Sequence, residues 1–184
     1  MKPKKVLKIV GWIFLVAGIT YLSLVGYSYY EFTYSYIPKG DQFTKRVGYI
    51  DPEKSLLSDG FETCGDYIYD YYNGGDDRTK YIKDKNGLRD FILDNYENKN
   101  YTDSGYLNIR FVVNCEGEAG RYVIIENSLE LEPAAFSKDL RSQLFELTTQ
   151  LSEWKPLVIN NEPKDSYMYL SYRIENGEIT QIIP

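Results

Sequence analysis

Apolar and polar residues alternate most regularly over residues 107–127, LNIRFVVNCEGEAGRYVIIEN. Leu107, Ile109, Phe111 and Val113 share one face of an extended chain, while Tyr106, Asn108 and Arg110 take the other. Glu116-Gly117-Glu118 supplies a polar turn, Gly120 marks a bulge, and RYVIIEN is the return strand of a hairpin. The period then changes. Pro133 can open a helix at its first position, where a missing N–H costs nothing. After it, Phe136, Leu140, Leu144, Leu147, Leu151 and Trp154 recur at helical spacing. This predicts one helix of about five to six turns with a single apolar stripe, stopped by Pro156. Upstream, Leu88, Phe91, Ile92 and Tyr96 predict a shorter helix. Downstream, Met168, Leu170, Tyr172 and Ile174 alternate with Tyr167, Tyr169, Ser171 and Arg173, which predicts a last strand. The order helix, strand, strand, helix, strand predicts an α+β fold. A small antiparallel sheet, the hairpin plus the C-terminal strand, packs on an amphipathic helix.

Residues 9–30, IVGWIFLVAGITYLSLVGYSYY, carry no charge and follow neither period. As a helix they span roughly 33 Å, enough for a bilayer core, which predicts one transmembrane helix before the α+β domain. Lys2, Lys4, Lys5 and Lys8 precede the span and Glu31 follows it. The positive-inside rule then gives a cytoplasmic N-terminus and a C-terminal domain on the far side, as in a single-pass protein of a bacterial inner membrane with a periplasmic domain. Tyr27, Tyr29, Tyr30, Phe32, Tyr34 and Tyr36 resemble an interfacial belt at the exit. A cleaved signal peptide competes with this reading. The run is longer than the roughly 7–15 apolar residues of a signal, so a retained anchor is preferred. The organisation expected is a basic tail at 1–8, the span at 9–30, a polar linker at 31–60 and an outer domain at 61–184 with its core at 87–175. Within 61–85, DYIYDYYN fits a strand or a helical turn, and Asn73-Gly74-Gly75 signals a turn.

Composition narrows the chemistry. The 184 residues include no histidine, which removes the usual general base and the commonest metal ligand. The net charge is -6, and the four lysines before the span leave -10 for everything after it, 17 basic against 27 acidic residues. A domain this acidic argues against a nucleic-acid partner. There is no phosphate-loop or dinucleotide fingerprint, and no Ser/His or Cys/His constellation. No enzyme activity, cofactor or metal is expected. Glu62, Asp66, Asp70, Asp76 and Asp77 lack calcium-loop spacing and read as solvated surface, as do Glu116 and Glu118. The 19 tyrosines suit half-buried strands and binding surfaces. Cys64 and Cys115 are the only cysteines. In an oxidising compartment they are expected to pair. The bridge would close a loop of about 50 residues, worth roughly 4 kcal/mol, and staple 61–85 onto the hairpin turn. Two free thiols, or a redox or metal pair, are the competing readings.

The stretch from Gly87 to Ile174 resembles the C-terminal domain of the TonB family, in its Bacteroidetes-type membrane-anchored form. The likeness rests on GLRDFILDNY, on Phe111-Val112-Val113 ahead of a polar glycine turn, on the amphipathic helix, on Trp154-Lys155-Pro156 and on YMYLSYRI. It implies a protein-binding module whose last strand accepts a partner strand, with Tyr167, Tyr169, Ser171 and Arg173 giving selectivity. The implied partners are outer-membrane receptor peptides or an inner-membrane complex, and the implied activity is energy transduction or adaptation. The chain departs from the family in two ways: it has no proline-rich linker and no anchor histidine. The alternative is a local envelope scaffold or regulator with the same fold but no motor coupling.

Overall fold

The computed structural model describes residues 3–31, 48–70 and 78–183. Two compact units divide at residue 50. The first holds α1 (Pro3–Tyr30). Its segment Gly11–Tyr30 is long and apolar enough to cross a membrane, and none of it is buried against protein. The Thr20 hydroxyl donates to the Val16 carbonyl, so its polar group is satisfied within the helix. Phe32, Tyr34 and Tyr36 of the expected belt, the linker residues 32–47, and Asn73-Gly74-Gly75 with Asp76 and Asp77 lie outside the described residues.

The second unit is built on an antiparallel sheet of four strands rather than three. β1 (Lys80–Tyr81) and α2 (Asp84–Asn95) come first, then the hairpin β2 (Gly105–Val113) and β3 (Ala119–Asn127). α3 (Lys138–Thr149), β4 (Trp154–Lys155), β5 (Leu157–Ile159), β6 (Glu162–Lys164), β7 (Ser166–Glu175) and β8 (Glu178–Ile183) follow. The sheet order is β3-β2-β7-β8. β8 exists because Asn176 and Gly177 both adopt positive φ, 51° and 76°, and fold the chain back on β7. An Asn-Gly pair between alternating runs is a strong hairpin signal. The bulge expected at Gly120 falls one step later, at Arg121 and Tyr122, opposite the register shift between Arg110 and Val112. Gly120 serves another need: a Cβ there would lie 2.3 Å from the Phe61 ring.

The helix expected over 133–153 is shorter. Pro133 forms a bridge with Asn127 instead of opening a helix. Ser137 donates through its N–H and its hydroxyl to Asp103, and α3 starts after it. The helix ends at Thr149, well before Pro156, and Glu153 takes φ 69°. Trp154 therefore belongs to β4, paired with Tyr81, and its indole donates to the Leu151 carbonyl. The six stripe residues are nonetheless all buried in one core. Apolar spacing reported burial correctly, while the backbone changed form beneath it. This core joins Leu88, Ile92, Leu140 and Leu144 to Leu107, Ile109, Phe111, Val113, Met168, Leu170, Tyr172 and Ile174 on one sheet face.

The other face carries a smaller core. Ile50 and Ile68, with Phe61, pack on Val112, Val123 and Tyr167. Residues 50–70 thus form a strap across the sheet. The folded unit starts at Ile50, so the last third of the expected linker is part of the domain.

Candidate functional site

The strap is fastened where the sequence placed its staple. Cys64 and Cys115 are bonded, with Cα atoms 6.0 Å apart. Their backbones converge on a residue the sequence reading did not single out. Asp165, 2% exposed, lies just before β7. One carboxylate oxygen accepts from Cys115 N at 2.9 Å and Cys64 N at 3.2 Å. The other accepts from Gly65 N at 3.0 Å. A carboxylate needs acceptor bonds to be buried, and this one finds them in backbone N–H groups around the disulfide. Asn114 organises the turn itself. Its side-chain oxygen accepts from Glu116 N and Glu118 N, and its amide donates to the Glu62 carbonyl and to Glu118 Oε2. Gly117, at φ 84°, sits so close to the Trp154 carbonyl that a Cβ would meet it at 2.2 Å. The turn, the strap and β4 are therefore one assembly.

The Cys64 and Cys115 sulfurs and an Asp165 oxygen lie within 4.8 Å of one another. Metal ligation needs thiolates, and the sulfurs here are bonded to each other. Glu62, Asp66, Glu116 and Glu118 are exposed around this cluster.

Phe111, Val112, Val113, Trp154 and Pro156 occupy structural positions. Phe111 lies edge-to-face with Trp154 at 5.2 Å and stacks on Tyr122 at 5.1 Å. Val113 joins the same core, Val112 points to the strap, and Pro156 is half-buried beside Gly117.

The expected partner-accepting strand is corrected by the sheet order. Tyr167, Tyr169, Ser171 and Arg173 lie on β7, an inner strand. β2 pairs along its whole length on one side. On the other side, Ser171 to Glu175 pair with β8, and Tyr167 N donates to the Tyr69 carbonyl of the strap. Tyr167 is buried; the other three are half-buried. Ser171 donates to Asn108, and Arg173 pairs with Glu175 at 2.8 Å. A three-strand reading made β7 an edge, and the unrecognised β8 removes it.

The true edges differ from each other. β3 is guarded at both ends. Leu56 exchanges two backbone bonds of 2.8 Å with Tyr122, Arg121 N donates to the Leu57 carbonyl, and Ala134 N donates to the Glu126 carbonyl. The outer side of β8 pairs with nothing among the described residues. Its start is held firmly: Gly177 N donates to the Asp103 carbonyl, Tyr96 Oη to the Gly177 carbonyl, and Asn98 Nδ2 to Glu178. Burial, and next to it the charge of Glu178, raise the Tyr96 hydroxyl above its ordinary pKa. A bulge at Thr180 lets Ile179 and Ile182 both pack toward the large core, although they are three positions apart. No family model, curated protein or solved structure matches the chain.

Proposed function

We propose that this chain is a single-pass, membrane-anchored binding module that captures an extended segment of a partner protein alongside β8. The observation that carries this reading is the contrast between the edges. β3 is bridged at both ends, β7 is flanked by β2 on one side and by Tyr69 and β8 on the other, and among the described residues β8 keeps its outer backbone groups open to pairing. Strand addition draws affinity from such main-chain groups and selectivity from alternate side chains. The site is thus moved from the residues expected on β7 to β8, Glu178–Ile183, with Gln181 at its middle. Capture by a C-terminal strand is also how the TonB resemblance would have the domain work. The basic tail ahead of the span supports an N-terminus in the cytoplasm and a domain outside it.

The tether favours the local form of this function. The chain between α1 and the buried Ile50 is residues 31–49, which cannot stretch beyond about 65 Å. A membrane-proximal scaffold or regulator fits that reach better than transduction to a distant receptor.

Short-range periplasmic crosslinking in cells tests the reading, with a photoreactive residue at Gln181 and, as control, at Ile125 on β3. Capture of one protein from Gln181 and not from Ile125 is the result anticipated. Equal capture from both positions, or capture from Ile125 alone, refutes it.

A further inference from the structure

A strand lying along β8 meets a single charge on it. Glu178 is the only ionisable residue of Glu178–Ile183. Its carboxylate accepts from the neutral amide of Asn98, and no cation lies within ion-pair distance of it among the described residues. Directly across on β7 stands Glu175, whose charge is met by Arg173. Asp103 binds the same turn through its carbonyl, while its carboxylate is held by Ser137. Glu178, Glu175 and Asp103 thus stand at one turn of the sheet, with Arg173 paired to Glu175. They do so in a domain that already carries an excess of acid. Beside Glu178 the edge is apolar on its helix side, where Ile179 and Ile182 are only half-buried.

We propose that the segment captured by β8 is basic: an extended stretch of a partner protein that seats apolar side chains beside Ile179 and Ile182 and brings a Lys or Arg to Glu178. This rests on the strand-addition reading. The recognition is electrostatic at one position and apolar at the alternate ones. A carboxylate brought to the same place would stand against Glu178 and Glu175 together. Like charges in adjacent strands repel and opposite charges attract. For exposed groups the combined effect amounts to about fivefold in affinity.

The test uses the full chain in detergent micelles and short peptides that alternate valine with lysine or with glutamate. A third peptide is the lysine sequence with alternate backbone nitrogens methylated. The lysine peptide should bind about fivefold tighter than the glutamate peptide at low salt. Glu178→Gln should shrink that ratio to about twofold or less, and backbone methylation should abolish binding. Equal affinity for both charged peptides, with methylation still abolishing binding, overturns the basic preference and leaves strand addition standing. Lysine-peptide binding that survives methylation, or no binding of either peptide, overturns both.

Discussion

Asp165 offers the sharpest check on how the strap is held. Asp165→Ala leaves the N–H groups of Cys64, Gly65 and Cys115 without their acceptor. Cys64 and Gly65 are exposed enough for water to replace part of the loss, so each bond is worth about 1 kcal/mol and the total about 3 kcal/mol. Asp165→Asn is a milder perturbation. It keeps the oxygen shared by Cys64 and Cys115 but turns a donor toward Gly65 N, which should cost about 1–2 kcal/mol. The backbone carbonyl of Asp165 would still accept from Tyr69 N in both variants. Urea unfolding of the oxidised protein, followed by tyrosine fluorescence, measures the difference. The strap should also exchange its amide hydrogens faster in the alanine variant than in the asparagine one. If Asp165→Ala unfolds within about 0.5 kcal/mol of wild type, the three bonds are not what holds the clasp and the reasoning fails.

Other predictions follow from the same assembly. Replacing both cysteines, Cys64→Ser with Cys115→Ser, removes a link across a sequence separation of 51 and should cost about 4 kcal/mol in chain entropy, read as a lower urea midpoint. Gly117→Ala should cost more than about 1 kcal/mol, because it combines a left-handed φ with a clash on the Trp154 carbonyl; thermal unfolding checks it. Burial raises Tyr96, Tyr122 and Tyr172 above the ordinary tyrosine value of 10.0. The unfolded chain then loses these protons first, so stability is full below about pH 10 and falls as pH rises beyond it. Melting temperature against pH should show that fall, and Tyr172→Phe should make it shallower. The same variant gives up the bond to Thr148, which still donates to the Leu144 carbonyl, so its cost near neutral pH should be only about 1 kcal/mol.

These residues also show where local pattern informs and where it stops. The hairpin was legible because alternation and a glycine turn agree over a short span, and Leu107, Ile109, Phe111 and Val113 are all fully buried. The stripe from Phe136 to Trp154 was legible as burial but not as backbone. Helical spacing cannot tell a continuous helix from a helix with extended ends that turn the same side chains inward. Here Asp103 fixes the start of α3, and pairing with Tyr81 fixes the fate of Trp154; both partners are distant in sequence. β8 was within reach, since Asn176-Gly177 is a hairpin signal standing in plain sight before an apolar run. Taking Tyr167–Ile174 as the last strand misplaced the edge of the sheet.

Asp165 is different in kind. It follows Cys115 by 50 positions and Cys64 by 101, and nothing in its neighbours distinguishes it from a surface aspartate. Cysteine arithmetic finds the bridge because only two cysteines exist; it cannot find the carboxylate that positions them. The consequence bears on function. The disulfide and Asp165 hold the strap over one half of the sheet's second face, and Tyr69 of the strap bridges the start of the outer side of β7 at Asp165–Tyr167. β8 closes the second half of that side. β3 is bridged at both ends as well, while the outer side of β8 pairs with nothing among the described residues. Under the strand-addition reading, the side chains to vary first are therefore those of that strand, Glu178–Ile183.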